Sequence, residues 1–491
     1  MSGLLFILPL LAAALLSHAL PERWVRPLTT VVGLLFAASY GIPGFVVLAT
    51  VGLVAWLAAR IVRDTKQRHR RLLTMVASAA ILTPLVFVKD YLGLAAPLAD
   101  LLRLHAGSAS TDARDMFVIV GLSFYSFRAL AFLLDAYHGR LPDHPSLRDT
   151  VLYLFFFPQF LAGPIERPAP FFSALSEPRS VQYRQLADGM ILITVGVFMK
   201  VVIADRLSLY TDAVFSNPSG AGTVRLWLGM YLYAVQLYCD FSGYTNIAIG
   251  LSLMLGFRPS VNFRQPYMAT SIADFWTRWH ISLSFWLRDF VFLPVAYAAG
   301  RRAAPLLRTA FARDFVSYAA AASVTMVLCG LWHGAGGPFL LWGLLHGAYL
   351  TASRSTKKLR QRIWTRAGFS ASHPFRRFVA VFITFHLVSL AWVIFRSESF
   401  ETARGFLSEM ISFTHMDTSF RDGLRTVDIY WSMMFAVMIG AVQYLQERKS
   451  ILPSLAAAPL AVRWAIYILL VLAIETFVPV SGLTRFAYVV F

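Results

Sequence analysis

His333 is the residue whose place in the sequence most favours acid–base chemistry. It lies in CGLWHGAGGPFLLWGLLHG (329–347), directly before the breaker sequence GAGGP (334–338) and after Trp332. Glycine and proline there predict that one helix ends at His333 and another begins near Phe339. An imidazole with a pKa near 6.5 can take a proton from a hydroxyl nucleophile. We expect an open loop beside His333, where a substrate could approach closely.

Several other interpretations of this motif stay open. A lone histidine in an apolar helix is often a hydrogen-bonded core residue. Cys329 lies four residues before His333, which would allow a Cys–His nucleophile pair. The facing of His346 cannot be assigned across the predicted break. Because the histidines lack a local ligand spacing, we expect no metal site.

The stretch 262–295, NFRQPYMATSIADFWTRWHISLSFWLRDFVFLPV, places charge within apolar sequence. Its ionisable and indole side chains are Asp274, Trp276, Arg278, Trp279, His280, Trp286, Arg288 and Asp289. An ionised group at mid-bilayer costs roughly 2.5–3.5 kcal/mol. The stretch should therefore lie against protein, head groups or a wet cavity.

Helical spacing in this stretch predicts two rows of side chains. One row contains Phe275, Trp279, Trp286 and Phe290, and the other contains His280, Ser284 and Arg288. Asp274 can reach Arg278 one turn on. This pattern favours a buried or re-entrant amphipathic helix, with a helix lying in the head groups as the alternative.

Two further segments interrupt the apolar sequence. QLYCDFSGYTNIAIG (236–250) carries Asp240, Tyr244 and Asn246, which favours a substrate path, with a structural hydrogen-bond network as the alternative. YLFFFPQFLAGPIERP (153–168) is broken by prolines, so we expect it to be buried in protein or to line a cavity. An ordinary interfacial loop remains possible for it.

The elements that position these residues are membrane helices. Of the 491 residues 57% are hydrophobic and 14% charged, against roughly 25% charged in a soluble domain. We predict an all-α polytopic membrane protein with one domain over 1–491 and about ten to twelve crossings. The predicted apolar runs are 3–20, 27–58 (two crossings broken at 41–44), 72–101, 115–137, 186–215, 225–257, 315–332, 376–395, 429–445 and 461–478. The polar segment 397–428 should contain a short amphipathic helix.

The net charge of +18 is explained by orientation in a membrane rather than by nucleic acid. Basic residues cluster between apolar runs, at 60–71, 301–302 and 353–366, so we place these loops in the cytoplasm. The two cysteines imply no disulfide framework. Residues 1–20 lack a basic n-region, which indicates a retained first helix.

Four motifs together resemble the membrane-bound O-acyltransferases, in the bacterial alginate O-acetylation branch with the teichoic acid D-alanyl transfer branch further off. In order they are FFPQFLAGPIERP, DFSGYTNIAIG, NFRQPYMATSIADFWTRWHISLSFWLRDF and LWHGAGGPFLLWGLLHG, within 153–347. The resemblance implies helices around a central funnel, with His333 as general base at its narrow point and His280 positioning or binding the donor. It implies funnel-lining roles for Asp240, Tyr244, Asn246, Arg278, Trp279, Arg288, Asp289 and Trp332.

The activity expected from this resemblance is acetyl transfer from a cytoplasmic thioester such as acetyl-CoA to an extracytoplasmic glycan. No bound cofactor is expected. Expected partners are membrane lipid, a periplasmic acyltransferase and a glycan acceptor, and the expected location is the bacterial inner membrane. The alternatives are D-alanyl transfer from a carrier-protein thioester, a transporter of glycan or lipid precursors, and a scaffold that anchors a periplasmic transferase.

Overall fold

The computed structural model describes residues 7–90, 119–141, 145–177, 181–412, 426–449, 454–455 and 457–477, and these contain helices and no strand. The helices are α1 (Ile7–Leu16), α2 (Glu22–Ala38), α3 (Ile42–Asp64), α4 (Gln67–Val88), α5 (Leu122–Tyr137), α6 (Leu147–Leu154), α7 (Pro168–Ser176), α8 (Tyr183–Phe198), α9 (Asp205–Ser216), α10 (Pro218–Ala221), α11 (Thr223–Met254), α12 (Ile272–Trp276), α13 (Ile281–Leu287), α14 (Leu293–Ala303), α15 (Ala310–His333), α16 (Gly337–Ser355), α17 (Lys357–Arg366), α18 (Pro374–Arg396), α19 (Phe400–Ser412), α20 (Thr426–Gln446) and α21 (Leu460–Phe477).

Membrane-crossing segments confirm the prediction of a multi-pass membrane protein. Eight helical segments in the described residues are long and apolar enough to cross a bilayer: Ile42–Asp64, Arg68–Val88, Tyr183–Ser216, Ile281–Ala303, Ala310–His333, Pro374–Arg396, Val427–Gln446 and Leu460–Phe477. The predicted break within 27–58 is confirmed between α2 and α3. Parts of the predicted crossings 3–20, 72–101, 115–137 and 461–478, and of the polar segment 397–428, lie outside the described residues; α19 lies in the described part of that segment.

The chain divides into two compact units. One contains the described residues up to Gly196 together with Tyr244–Ser260, and the other contains Val197–Gly243 and the described residues from Val261 onward. The prediction of a single domain over the whole chain stays a prediction.

The first unit has an aromatic core around the proline-broken segment. Helix α6 ends at Leu154, and the chain continues through a short 3₁₀ turn, Phe157–Gln159, which contains Pro158. The Phe156 ring packs against Phe171 at 5.3 Å and Phe257 at 4.9 Å. Residues 155–166 are buried throughout, so this segment lies inside protein and the alternative of an interfacial loop is wrong.

The second unit contains a tightly packed helix pair, α15 and α16. A Cβ atom on Gly330 would overlap the carbonyl of Phe339, and one on Gly343 would overlap the carbonyl of Met326. Small residues at such positions let two backbones approach closely, as in other membrane helix pairs. The close packing fixes the turn that joins the two helices.

The continuous helix predicted across 275–290 is wrong. Helix α12 ends at Trp276, and α13 begins at Ile281 after His280, whose φ of 44° is left-handed. A π turn, Arg288–Phe292, then leads into α14. The backbone of Ile281 donates to the Asn262 carbonyl at 2.9 Å and that of Arg264 to the Arg278 carbonyl at 2.9 Å. These tertiary bonds compete with helical ones and break the predicted periodicity.

Candidate functional site

His333 lies at the last position of α15, as predicted. Its side chain is buried, and its ring contacts Trp332 at 4.8 Å, Phe395 at 5.0 Å and Trp342 at 5.5 Å between centroids. These rings come from α15, α16 and α18. The buried imidazole is therefore packed among aromatic side chains.

The turn after His333 is covered at Gly334 and exposed at Ala335 and Gly336. Gly334 has an extended backbone with a φ of −176°, and a Cβ atom there would overlap the ring of Phe339. Helix α16 begins at Gly337, two residues before the position predicted. The Phe339 side chain covers Gly334, so the open loop expected directly beside His333 begins only at Ala335.

His280 is fully buried and is held by Asn262. The Asn262 Oδ1 atom lies 3.3 Å from His280 Nδ1 and accepts hydrogen bonds from the Ser282 backbone at 3.2 Å and the Ser282 hydroxyl at 2.8 Å. A backbone N–H can only donate, so the amide oxygen faces these groups. An oxygen acceptor at Nδ1 places the proton of a neutral His280 on Nδ1 and the lone pair on Nε2.

Trp332 connects the two histidines. Its ring lies 6.0 Å from that of His280 and 4.8 Å from that of His333, and the Phe241 ring covers His280 at 4.7 Å. The structure thus brings together the two histidines and the tryptophan that were predicted to act together. No sequence pattern indicates the contact between Phe241 and His280, which joins residues from two distant motifs.

His346 belongs to an adjacent aromatic cluster. Trp276 Nε1 donates to His346 Nδ1 at 3.3 Å, and the Trp342 ring lies 4.8 Å from His346 and 5.5 Å from His333. Trp392 stacks on Trp342 at 5.7 Å. Trp342 is therefore shared by both histidine environments. Sequence reasoning missed Trp342, because its importance depends on how α16 packs on α15.

Arg278 forms a charged network at one end of the second unit. Its Nε atom lies 2.6 Å from Asp274 Oδ1, which confirms the predicted i to i+4 pair. Arg278 also pairs with Glu447, whose other oxygen accepts from Arg377 at 2.7 Å. Burial lowers the pKa of Arg278, but these carboxylates outweigh it and hold the pKa above its usual value. Trp279 is buried beside Phe275 and Trp392 in the aromatic core.

Arg288 and Asp289 lie in the π turn before α14. The Arg288 guanidinium lies 2.9 Å from Asp289 Oδ1 and 4.4 Å from the centre of the Phe285 ring, and half of its side chain is exposed. The predicted row of His280, Ser284 and Arg288 along one helix is not formed. His280 precedes α13 as its N-cap residue, with a left-handed backbone, and Arg288 lies in the π turn after it. The proposed funnel-lining roles of Arg288 and Asp289 stay predictions.

Asp240 belongs to a buried ionic triad. Lys200 Nζ lies 2.8 Å from Asp240 Oδ1 and 2.7 Å from Asp205 Oδ1, and all three side chains are buried. Lys200 lies in a π turn, Met199–Ala204, between α8 and α9. Tyr244 is buried and Asn246 half-buried further along α11, and both belong to the first unit. Their predicted roles in a substrate path stay predictions.

The described residues contain no group of three or more His, Cys, Asp or Glu side chains placed to hold a metal ion. Cys329 is buried within α15.

Comparison with known proteins gives a family match and several relatives. Residues 102–395 match the sequence model of the membrane-bound O-acyltransferase family. The probable alginate O-acetylase of Pseudomonas aeruginosa is 37% identical over 298 residues, 60% of this chain and 52% of that protein. The peptidoglycan O-acetyltransferase of Helicobacter pylori is 31% identical over 318 residues, 60% of this chain and 56% of that protein. The teichoic acid D-alanyltransferase of Bacillus subtilis is 28% identical over 286 residues, which are 57% of this chain and 69% of that protein. The chain spans about half the length of the O-acetylating relatives.

Proposed function

Because the chain belongs to the membrane-bound O-acyltransferase family, we propose that it transfers an acetyl group from a thioester donor toward an extracytoplasmic glycan, by way of an acceptor hydroxyl. The observation that carries the proposal is His333, a buried imidazole at a helix end, enclosed by Trp332, Trp342 and Phe395. Two relatives that carry O-acetylation in their names support an acetyl rather than another acyl group.

The chemistry assigned to His333 is general base catalysis. The imidazole accepts the proton of the acceptor hydroxyl while the oxygen attacks the carbonyl carbon of the thioester. A tetrahedral intermediate forms, the C–S bond breaks, and the leaving thiolate takes the proton back from the imidazolium. The surrounding rings exclude water, which would otherwise hydrolyse the donor.

His280 is proposed as a positioning residue for the donor. With its proton on Nδ1 toward Asn262, its Nε2 atom presents a lone pair, so it can accept a hydrogen bond from a donor N–H group. The pantetheine arm of acetyl-CoA carries amide N–H groups. Asn262 and Ser282 fix the ring, so the position of this acceptor is set before substrate binds.

The proposed setting is the bacterial inner membrane. Acetyl-CoA reaches the site from the cytoplasm, no cofactor stays bound, and a periplasmic acyltransferase completes delivery to the glycan. D-alanyl transfer from a carrier-protein thioester is the second candidate, favoured by similarity to the teichoic acid D-alanyltransferases.

The test is release of free CoA from acetyl-CoA by the purified protein in nanodiscs. We expect His333→Ala to lower the rate by about 10²- to 10⁴-fold, the usual contribution of a general base. His333→Gln should fail equally, since an amide keeps polarity but accepts no proton. His69→Ala, at an exposed histidine, is the matched control and should retain full activity.

Equal CoA release by wild type and His333→Ala, with both proteins monodisperse, would reject the proposed base. If wild type releases no CoA, the same comparison with a D-alanyl carrier protein decides between the two donors. Inactivity with both donors, in the presence of the periplasmic partner and glycan, would reject acyl transfer.

A further inference from the structure

Helix α17 is a cationic helix with an apolar edge. Every charged side chain in its sequence, KKLRQRIWTR, is basic. Lys358, Arg362 and Arg366 recur at intervals of four residues and so share one face of the helix. Leu359 and Ile363 form the neighbouring row, with 56% and 55% of each side chain exposed. A row of cations beside a row of apolar side chains is typical of helices that lie in a membrane interface.

Among the described residues, the cations on this face have no acidic partner. Arg360 donates to the Ser353 carbonyl at 2.8 Å and to the Thr356 hydroxyl, so it completes the end of α16. Arg354, just before α17, pairs with Asp314 at 2.7 Å. Across the described residues, by contrast, Lys358, Arg362 and Arg366 have no carboxylate within ion-pair distance. Their charge is available to an external anion.

These side chains line a shallow depression. Lys358, Gln361, Arg362, Thr365 and Arg366, all on α17, border an open surface depression of about 420 Å³. Each of them can donate a hydrogen bond, and none of them is acidic. Guanidinium groups match phosphate geometry with paired N–H donors, and a lysine adds a compact charge. The depression therefore suits a phosphate oxygen cluster.

An aromatic cluster attaches α17 to a membrane-crossing helix. The Phe369 ring contacts Trp364 of α17 at 5.6 Å and Phe375 of α18 at 5.4 Å. The Phe369 backbone also donates to the Trp364 carbonyl at 2.9 Å. Phe378 on the first turns of α18 is exposed, as expected of a lipid-facing side chain. Because α18 is long and apolar enough to cross a bilayer, we expect this end of it to lie at the membrane surface, with α17 beside it.

We propose that α17 binds the phosphodiester head group of an anionic phospholipid. Lys358, Arg362 and Arg366 hold the phosphate, while Leu359 and Ile363 insert between the adjacent acyl chains. The exposed apolar row favours a lipid over a soluble anion, because a soluble anion would leave the Leu359 and Ile363 side chains in water. Electrostatic attraction to the anionic head group and insertion of the apolar side chains both contribute to the binding free energy. Salt weakens the electrostatic contribution.

The test is a lipid titration of the full chain in detergent, with bound lipid counted by native mass spectrometry. Phosphatidylglycerol should bind about ten-fold or more tightly than phosphatidylcholine. The variant Lys358→Gln/Arg362→Gln/Arg366→Gln should lose that preference. The control Arg301→Gln/Arg302→Gln/Arg308→Gln removes the same charge from exposed positions elsewhere and should keep it. These are surface changes, so all proteins should remain monodisperse.

A second pair of measurements separates lipid from other anions. Leu359→Ser/Ile363→Ser keeps every charge and should weaken phosphatidylglycerol binding several-fold. Inorganic phosphate at millimolar concentration should not displace the lipid. An equal effect of the two triple variants, full displacement by phosphate, or an unchanged affinity after loss of the apolar row would overturn the proposal. CoA release, measured on the same proteins, reports on acyl transfer separately.

Discussion

At the scale of single residues, the site depends on one buried side-chain amide that has no catalytic role of its own. Asn262 is fully buried and accepts from the Ser282 backbone, the Ser282 hydroxyl and the His280 ring. These bonds hold His280 in a left-handed conformation at the start of α13. The orientation of His280 thus depends on a residue eighteen positions earlier.

We expect Asn262→Ala to destabilise the protein by about 1–3 kcal/mol, because buried donors on His280 and Ser282 would lose their acceptor. The melting temperature in detergent, followed by intrinsic fluorescence, measures this loss. Asn217→Ala is the control: Asn217 is exposed and accepts a single bond from Gly220 at 3.3 Å. Equal shifts for both variants would show that Asn262 has no special role.

Glu166, in the first unit, should make the stability of the protein depend on pH. Burial raises the pKa of Glu166 above its ordinary 4.5, and hydrogen bonds from the Ser260 backbone at 2.7 Å and hydroxyl at 2.9 Å partly oppose it. A raised pKa means that the folded state favours the protonated carboxyl group, and this contribution to the stability of the fold is fully present below pH 4.5. That contribution is lost as the pH rises through the folded-state value.

Glu166→Gln should therefore give a flatter melting temperature between pH 4.5 and neutrality than wild type. The glutamine can still accept from the Ser260 backbone, so folding should be retained. Melting curves over this pH range measure the difference. Parallel profiles for the two proteins would mean that burial does not control this carboxyl group.

At the scale of elements, α15 and α16 hold His333 and Trp342 in contact. Their packing depends on glycines, since Gly343 lies against the Met326 carbonyl and Gly330 against that of Phe339. Added atoms at such contacts force the helices apart. The enclosure of His333 would then loosen even though no residue of the enclosure had changed.

We expect Gly343→Ala to cost about 1–3 kcal/mol of stability and to lower CoA release. Gly440→Ala is the matched control, because Gly440 lies within helix α20 with open space around it. Alanine favours a helix interior by about 1 kcal/mol over glycine, so the control should be neutral or stabilising. Thermal melting and CoA release are measured on both variants. An unchanged melting temperature for Gly343→Ala would contradict the proposed close packing of α15 and α16.

The sequence predicts elements where local chemistry controls them. The end of α15 at His333 follows from GAGGP, and the break between α2 and α3 follows from glycine and proline near 41–44. The helical pattern fails across 275–290, where hydrogen bonds donated to Asn262 and one donated by the Arg264 backbone override it. The rings of Trp342 and Phe395 around His333 come from helices distant in sequence, so no spacing rule could find them.

At the scale of the whole molecule, the distribution of charge predicts orientation. The basic segments 60–71, 301–302 and 353–366 lie at or beside the ends of membrane-crossing helices. An excess of lysine and arginine marks cytoplasmic loops. Helix α18 has 23 residues and is about 35 Å long, so residues just before and after it lie on opposite sides of a bilayer.

Cysteine labelling tests this orientation. With a membrane-impermeant maleimide, we expect Glu398→Cys to react in intact spheroplasts and Lys357→Cys to react only after permeabilisation. Background should be low because Cys239 and Cys329 are both buried. The reverse pattern would invert the predicted topology.

Among the described residues, the longest segment that is apolar enough to cross a membrane is Tyr183–Ser216, with 34 residues, or about 51 Å of helix. The hydrocarbon core of a bilayer is only about 30 Å thick. This segment must therefore tilt or project into the head groups, and each response costs energy that depends on the surrounding lipid. Its central π turn carries Lys200, which is bound to Asp205 and Asp240, so a change of tilt would move this buried charge cluster. Lipid acyl-chain length thus becomes a variable that acts on the protein through hydrophobic mismatch.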